Sequence, residues 1–269
     1  MRPFDYSGRT ALVTGASSGI GSAFVPALAA RGMNVVLIAR SSDRLRALAD
    51  EVTNRHKTRA EVISADLARP ESIESIRQEI DRRGLSVDLL VNNAGFATYG
   101  HFEKIDAARD RDQVVVNVAS LVGLTHAFVP PMLDRGAGGV INVASTAAFQ
   151  PIPFMAVYAA SKAFVASFSF ALAAAYRGRN IRVLVLCPGP TDTNFFATSQ
   201  AQQAAVGRLR GVDQVVATGL KAFDRGRDLA VDGFGNTLAG LFARKLPPSF
   251  TARMAGRVTR PRDALTPKS

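Results

Sequence analysis

Apolar positions along the chain fall in short, β-branched runs, separated by longer stretches in which apolar residues recur every three or four positions. Runs of the first kind occupy residues 10–14, 35–39, 59–64, 88–91, 139–144 and 181–187, with a shorter one at 229–231, and each reads as a buried strand. Between them, residues 22–31, 43–56 and 71–82 carry helical periodicity; Gly32 stops the first and Pro70 sits in the first turn of the third. A longer helix covers Asn117 and is expected to end at Pro130-Pro131, whose rings obstruct the preceding turn. Another runs from Tyr158 toward Tyr176.

Strands alternating with helices imply a parallel sheet with right-handed crossovers. The fold class is therefore α/β, a doubly wound parallel sheet of about seven strands flanked by helices. In such sheets ligands collect beyond the carboxyl ends of the strands. Asp66 and Leu67, Asn93 to Gly95, and Ser145 all stand at such ends. No repeat beyond the strand–helix unit and no long linker divides the chain. Residues 1–233 are expected to form one domain, and residues 234–269 a basic amphipathic extension docked on it.

Two constellations carry chemistry. The first strand runs into Gly15-Ala16-Ser17-Ser18-Gly19-Ile20-Gly21, and a helix follows. That setting suits a dinucleotide: glycines let a pyrophosphate approach the backbone, and the helix start offers free N–H groups and a positive dipole end. The spacing is one residue longer than the commonest fingerprint. The second strand ends at Arg40, roughly 20 residues on, where an acidic residue would bind the ribose 2′-hydroxyl of NAD. A forked cation suits a 2′-phosphate instead, with Arg44 one turn further in support, so NADP(H) is the expected cofactor. The second constellation is Tyr158 and Lys162, which a helix places on one face. A nearby ammonium favours phenolate, so Lys162 is expected to lower the Tyr158 pKa from ~10 and make it a proton donor and acceptor near neutral pH.

Thr14-Gly15-x-x-x-Gly19-x-Gly21, Asn92-Asn93-Ala94-Gly95, Asn117, Ser145, Tyr158-x-x-x-Lys162, and Pro188-Gly189 with Thr193 follow one another in a fixed order. In that order, residues 8 to about 233 resemble the short-chain dehydrogenase/reductase family. The resemblance implies a Rossmann-type sheet, no metal, and hydride transfer between a nicotinamide and an alcohol or carbonyl. It makes Tyr158 the general acid or base and Ser145 a hydrogen-bond donor to the reacting oxygen. Lys162 would hold the nicotinamide ribose and depress the phenol pKa, and Asn117 would hold a water that relays protons through Lys162. Ser17, Ser18 and Ile20 would line the phosphates, Asp66 and Leu67 would flank the adenine, and Asn93, Ala94 and Gly95 would complete the cofactor site. Pro188, Gly189, Thr191 and Thr193 would grip the carboxamide; Thr191 departs from the family's usual Val or Ile but keeps the backbone N–H. Phe164, Phe168 and Leu172, at i, i+4 and i+8, are either core or a subunit interface. Because this helix commonly packs against its symmetry mate in the family, a homodimer or homotetramer is expected.

Composition changes this picture mainly at the ends. Hydrophobic content of 47% and charged content of 20% fit a soluble globular chain, and no apolar run is expected to reach the roughly 18–20 residues of a membrane span. The N-terminus lacks the apolar core of a signal peptide, and Cys187 has no partner for a disulfide, which makes a reducing cytoplasm the expected location. His56, His101 and His126 lack metal-ligand spacing, so no metal is expected. Net charge is +11, and more than half of it sits in the last 26 residues, where seven Lys and Arg face Asp263 alone. A terminal excess without interleaved aromatics argues against nucleic-acid binding. Phe234, Leu238, Leu241 and Phe242 form one apolar stripe in this tail, and Phe250, Met254 and Val258 a second beyond Pro247-Pro248. These helices are expected to dock over the substrate entrance or a neighbouring subunit; the alternative is contact with an anionic membrane.

Phe149, Ile152, Pro153, Phe154 and Met155, with Phe96, Tyr99, Phe195 and Phe196, are expected to wall the site with almost no charge. The substrate class that follows is a hydrophobic ketone, aldehyde or alcohol, with reduction the favoured direction. The other function class is a nucleotide-binding regulatory or scaffold protein, disfavoured because Ser145, Tyr158 and Lys162 are all present.

Overall fold

Strands β1 (Thr10–Thr14), β2 (Asn34–Ala39), β3 (Ala60–Ser64), β4 (Val87–Asn92), β5 (Gly138–Val143), β6 (Ile181–Cys187) and β7 (Leu229–Val231) pair in parallel in the order β3-β2-β1-β4-β5-β6-β7. The structure is a computed structural model that describes residues 4–193, 195 and 209–261, apart from the side chains of Leu241 and Arg244. Phe196, Arg262, Asp263 and Lys268 lie outside the described residues. Every residue of β1, β5 and β6 is buried, which is why these strands read as continuous apolar runs rather than alternating ones.

Parallel neighbours need crossovers, and the helices supply them: α1 (Gly19–Ala29), α2 (Ser42–His56), α3 (Ser72–Arg82), α4 (Ala107–Val114), α5 (Ser120–Asp134), α6 (Ala156–Ala175) and α7 (Val212–Asp224). Successive strand residues face opposite sides of the sheet, and the core divides accordingly. On one side Phe24, Leu28, Leu45 and Phe223 pack on Val13, Leu37 and Leu184. On the other, Ile76, Leu124 and Phe128 pack on Leu12, Val36 and Leu90. Val165 and Ala166 of α6 lie on Val185 and Cys187. Two further helices, α8 (Phe234–Lys245) and α9 (Pro248–Thr259), follow β7. The chain winds outward from β1 to β3, then returns to place β4 on the other side of β1. That reversal opens a crevice at the carboxyl ends of β1 and β4.

Strand positions agree with the sequence pattern to within one or two residues, but two expectations fail. Pro130 and Pro131 do not end their helix, which continues to Asp134. Val129 and Met132 are buried in the core on either side of the prolines. His126 and both prolines lie on the exposed face, where water can satisfy the carbonyls left without an N–H partner. Second, residues Ala107–Asp134 and α6 are long and apolar enough to cross a membrane by length and composition. Their apolar residues serve the core instead: Leu124, Phe128 and Met132 pack on the sheet from one helix, Val165 and Ala166 from the other.

Candidate active site

A cavity of about 580 Å³ runs along the carboxyl ends of the strands, from Arg40 and Arg44 at one end to Tyr158 and Phe195 at the other. Of the residues expected to hold the cofactor or act on substrate, all but Gly21 and Asn117 line it.

The glycine turn is built by contact. Gly15 and Gly19 adopt φ +67° and +59°, the left-handed region that favours glycine. Gly21 has no such constraint, yet a Cβ there would overlap the Gly15 carbonyl oxygen and the Asn93 amide. Its part is to let the turn close on itself rather than to touch a ligand. Thr14 ties the turn to β4: its Oγ1 accepts from the backbone N–H groups of Asn93 (2.9 Å) and Ala94 (3.0 Å). Asn93 Nδ2 in return donates to the Thr14 carbonyl at 2.9 Å. Beyond the turn, α1 begins with no side-chain cap and no acidic residue in its first turn, so its leading N–H groups are left to a ligand. Such a start fits an anion such as a pyrophosphate.

Arg40 and Arg44 are exposed at the cavity's end. The nearby Asp43 pairs with Arg46 (3.4 Å) instead. Asp66 and Leu67 are fixed from behind, since Ser72 Oγ donates to the Asp66 carbonyl and Ser120 Oγ to that of Leu67, both at 2.6 Å.

At the opposite end, Ser145 Oγ accepts from Ala147 N at 3.1 Å, and the hydroxyl hydrogen-bonds the Tyr158 phenol. Tyr158 is buried, and desolvation pushes its pKa up to about 12, against the opposing pull of the Ser145 hydrogen bond. This reverses the expectation that Lys162 depresses it. The lysine nitrogen lies 5.8 Å from the centre of the Tyr158 ring, but it donates to the Val143 carbonyl at 2.9 Å. Burial also draws the Lys162 pKa down to about 8, weakening the charge that was to stabilise phenolate. The phenol therefore stays protonated at neutral pH.

Asn117 sits outside the cavity, in a single π turn at Val115–Ala119 that interrupts the helix between α4 and α5. Its Nδ2 donates to the Phe96 carbonyl and to Ser161 Oγ, each at 3.0 Å, while Oδ1 accepts from Phe96 N at 3.1 Å. With both amide hydrogens engaged, the side chain positions the loop after β4 against α6. It has no N–H left to offer a water.

The segment after β6 is held by residues that the sequence pattern missed. Thr191 bridges to Arg210, whose guanidinium makes two hydrogen bonds (2.5 and 3.1 Å) to the fully buried Asp232 carboxylate. Thr218 Oγ1 donates to the same carboxylate at 2.8 Å. Gly189 is a glycine because Asn236 of α8 occupies the space of its Cβ. None of these pairs has a local signature: Arg210 and Asp232 are 22 residues apart.

Phe96, Ile152, Met155 and Phe195 line the substrate end as expected, but other expected wall residues serve different ends. Phe149 fills the space beside Gly240 of α8, and Pro153 packs on Gly256 of α9. Tyr99 Oη donates to the Thr259 carbonyl at 2.9 Å. Phe154, in the left-handed region at φ +65°, sets its ring against His101. The wall is also less neutral than expected: Arg109 and Asp112 both line the cavity, with the Arg109 guanidinium 4.8 Å from the centre of the Phe96 ring. On α6, Phe164 is exposed and stacks on Phe168, while Phe168 and Leu172 pack against the core.

A family model described as short chain dehydrogenase matches residues 9–204. The very-long-chain 3-oxoacyl-CoA reductase of Anas platyrhynchos is 38% identical over 187 residues, 67% of this chain and 59% of that protein. The 17-beta-hydroxysteroid dehydrogenase type 3 of Homo sapiens is 36% identical over 191 residues, 69% of this chain and 60% of that protein. The chain thus matches roughly three fifths of the length of these relatives. Among solved structures, a short-chain dehydrogenase from Sphingobium yanoikuyae in complex with NADPH superposes with a TM-score of 0.80 at 28% identity, covering 97% of this chain and 99% of that one. The matched span carries the glycine turn, Ser145, Tyr158 and Lys162 on six strands of the seven-stranded parallel sheet, and the chain belongs to the short-chain dehydrogenase/reductase family.

Proposed function

We propose that this chain is an NADP(H)-dependent oxidoreductase that reduces the carbonyl of a bulky apolar substrate, with Tyr158 giving the proton. The observation that carries the reading is one cavity bounded by exposed Arg40 and Arg44 at one end and by the buried Tyr158 phenol with its Ser145 hydrogen-bond partner at the other. A nicotinamide, when bound, supplies the hydride. The chain's own residues do the rest. Arg40 and Arg44 present forked cations to a 2′-phosphate, and the uncapped start of α1 presents N–H groups to the phosphates. Ser145 donates a hydrogen bond to the carbonyl oxygen and holds it beside the phenol. Because burial keeps Tyr158 protonated at neutral pH, the proton is in place before the reaction begins. A Lys162 pKa near 8 lies well below that of the phenol, so proton return from Lys162 to a spent phenolate runs downhill.

Phe96, Ile152, Met155 and Phe195 shape the substrate end for apolar bulk, consistent with relatives named for 3-oxoacyl-CoA and hydroxysteroid chemistry. Arg109 and Asp112 add one charge of each sign to that wall and so give a polar group of the substrate a partner of either sign. The test is NADPH oxidation across 3-oxoacyl-CoA thioesters, steroid ketones and small charged carbonyl compounds. Wild type is expected to prefer the bulky apolar compounds over the small charged ones by more than about tenfold in kcat/KM. Tyr158→Phe should still bind NADPH by fluorescence titration and lose nearly all turnover. Tight NADPH binding by wild type with no turnover on any carbonyl would overturn the enzymatic reading in favour of a regulatory protein.

A further inference from the structure

Single exposed apolar side chains are ordinary, whereas an ordered cluster marks a contact surface. Phe234, Leu238 and Phe242 recur at i, i+4 and i+8 along α8, so they share one face, and Phe250, Met254 and Val258 do the same along α9. All six are exposed, Phe234 at 81%, Phe242 at 66%, and Met254 and Val258 at 53% each. They are not a core awaiting closure, because both helices are already anchored by other residues. Gly240 of α8 abuts the Phe149 ring. On α9, Thr251 and Thr259 are buried; Thr259 Oγ1 donates to the Pro153 carbonyl at 3.0 Å, and its own carbonyl accepts from Tyr99.

Charge decides what the outer faces suit. Residues 234–261 contain no Asp or Glu. Lys245, Arg253, Arg257 and Arg260 are all exposed there. Arg253 and Arg257 follow Phe250 and Met254 by three positions, which sets them beside the apolar stripe rather than behind it. A second copy docking these same helices by a two-fold would face cations with cations, since neither side has an acid between residues 234 and 261. An anionic lipid surface meets both demands, burying the stripe at the acyl boundary and pairing the cations with headgroups.

We propose that α8 and α9 form a membrane-surface dock, which lays Phe234, Phe242, Met254 and Val258 into the interface of an anionic bilayer with Arg253 and Arg257 at headgroup level. Both helices are fastened to the loop at Phe149 and Pro153, which leads into the cavity-lining Ile152 and Met155. If the substrate is bulky and apolar, as the function proposed above has it, the dock sets the cavity wall beside the phase in which that substrate dissolves.

The experiment is co-sedimentation of the full chain with vesicles of phosphatidylcholine alone or with phosphatidylserine added. It reads retention without substrate, so its outcome is separate from that of the activity screen. Wild type should pellet with phosphatidylserine vesicles on the order of tenfold more than with phosphatidylcholine, and lose that preference as salt is raised. Phe242→Ser with Met254→Ser should abolish most retention on both vesicles. Arg253→Glu with Arg257→Glu should abolish only the preference for phosphatidylserine. Unchanged NADPH affinity and melting temperature would show each variant to be folded. Wild type left in the supernatant with both vesicles, or retention indifferent to the serine substitutions, would overturn the proposal. So would a dimer that the serine substitutions dissociate, by light scattering, in a chain that vesicles do not retain.

Discussion

At the cofactor end of the cavity the phosphate turn is set by backbone: Gly15 and Gly21 close it and Thr14 bolts it to the end of β4, so a side chain added at either glycine would displace main chain. At the substrate end the walls are side chains of the segments after β4, β5 and β6, and the one after β5 is backed by two helices that reach it through Thr259, Gly240 and Gly256. A site closed by backbone accepts one ligand shape and tolerates little change. A site walled by side chains can be re-cut by a few substitutions while the sheet beneath stays as it is. The invariant partner of the reaction belongs at the first end and the variable one at the second.

The contrast can be broken most severely where the two ends meet. Tyr158→Phe removes the proton donor and should lower turnover by on the order of 10²–10⁴-fold with NADPH affinity unchanged, read by steady-state kinetics beside fluorescence titration. The pH profile sharpens this. Lys162 has its pKa drawn down to about 8, so its proton is present below that pH and lost above it. Carbonyl reduction should hold steady from pH 6 to about 7.5 and fall through about pH 8, and Lys162→Met should erase that inflection. Stability follows the opposite sign: the charged amine costs the fold below about pH 8, and the cost fades as pH climbs toward the unfolded value near 10.5. Wild type should therefore gain stability relative to Lys162→Met as pH rises from about 8 to about 10.5, read in denaturant titrations.

Gly21→Ala attacks the backbone-built end. Its methyl group meets both the Gly15 carbonyl and the Asn93 amide that donates to Thr14, so a loss of roughly 1–3 kcal/mol and of NADPH binding is expected, read by thermal melting and titration. Arg40→Ala should weaken NADPH by roughly 10–100-fold and leave NADH alone, the size of a lost charge-assisted hydrogen bond. The smallest effect belongs to the other end. Tyr99→Phe removes one hydrogen bond to Thr259, worth about 1 kcal/mol. It should speed amide exchange in α9 and shift KM for bulky ketones without touching NADPH affinity.

What could be read in the sequence is what is local. Strands buried on both faces announce themselves as apolar runs, and the glycine spacing, Arg40 and the Tyr158–Lys162 interval are short-range patterns. Helix continuation through Pro130 was hidden because it depends on Val129 and Met132 finding the sheet. The effect of Lys162 on Tyr158 depends on burial and on where the amine points, and the Val143 carbonyl captures it from a different element. Arg210 with Asp232, and Tyr99 with Thr259, are pairs that only the finished fold brings together. Phe149, Pro153 and Tyr99 looked like substrate wall because their sequence neighbours are, yet they hold the C-terminal helices.

The π turn at Val115–Ala119 makes helix length a counted quantity. One extra residue in that turn offsets α4 from α5 by about 100° relative to an uninterrupted helix. On the near side Gln113 Oε1 accepts from Thr98 N at 2.7 Å, and on the far side Leu124 and Phe128 are set in the core. Deleting Val118 would barely change hydropathy, yet the straightened helix could satisfy only one of those two anchorages. Such a chain should either melt early or leave the loop at residues 96–98 unmoored, so that an alignment gap of one position here would be a change of architecture rather than of decoration.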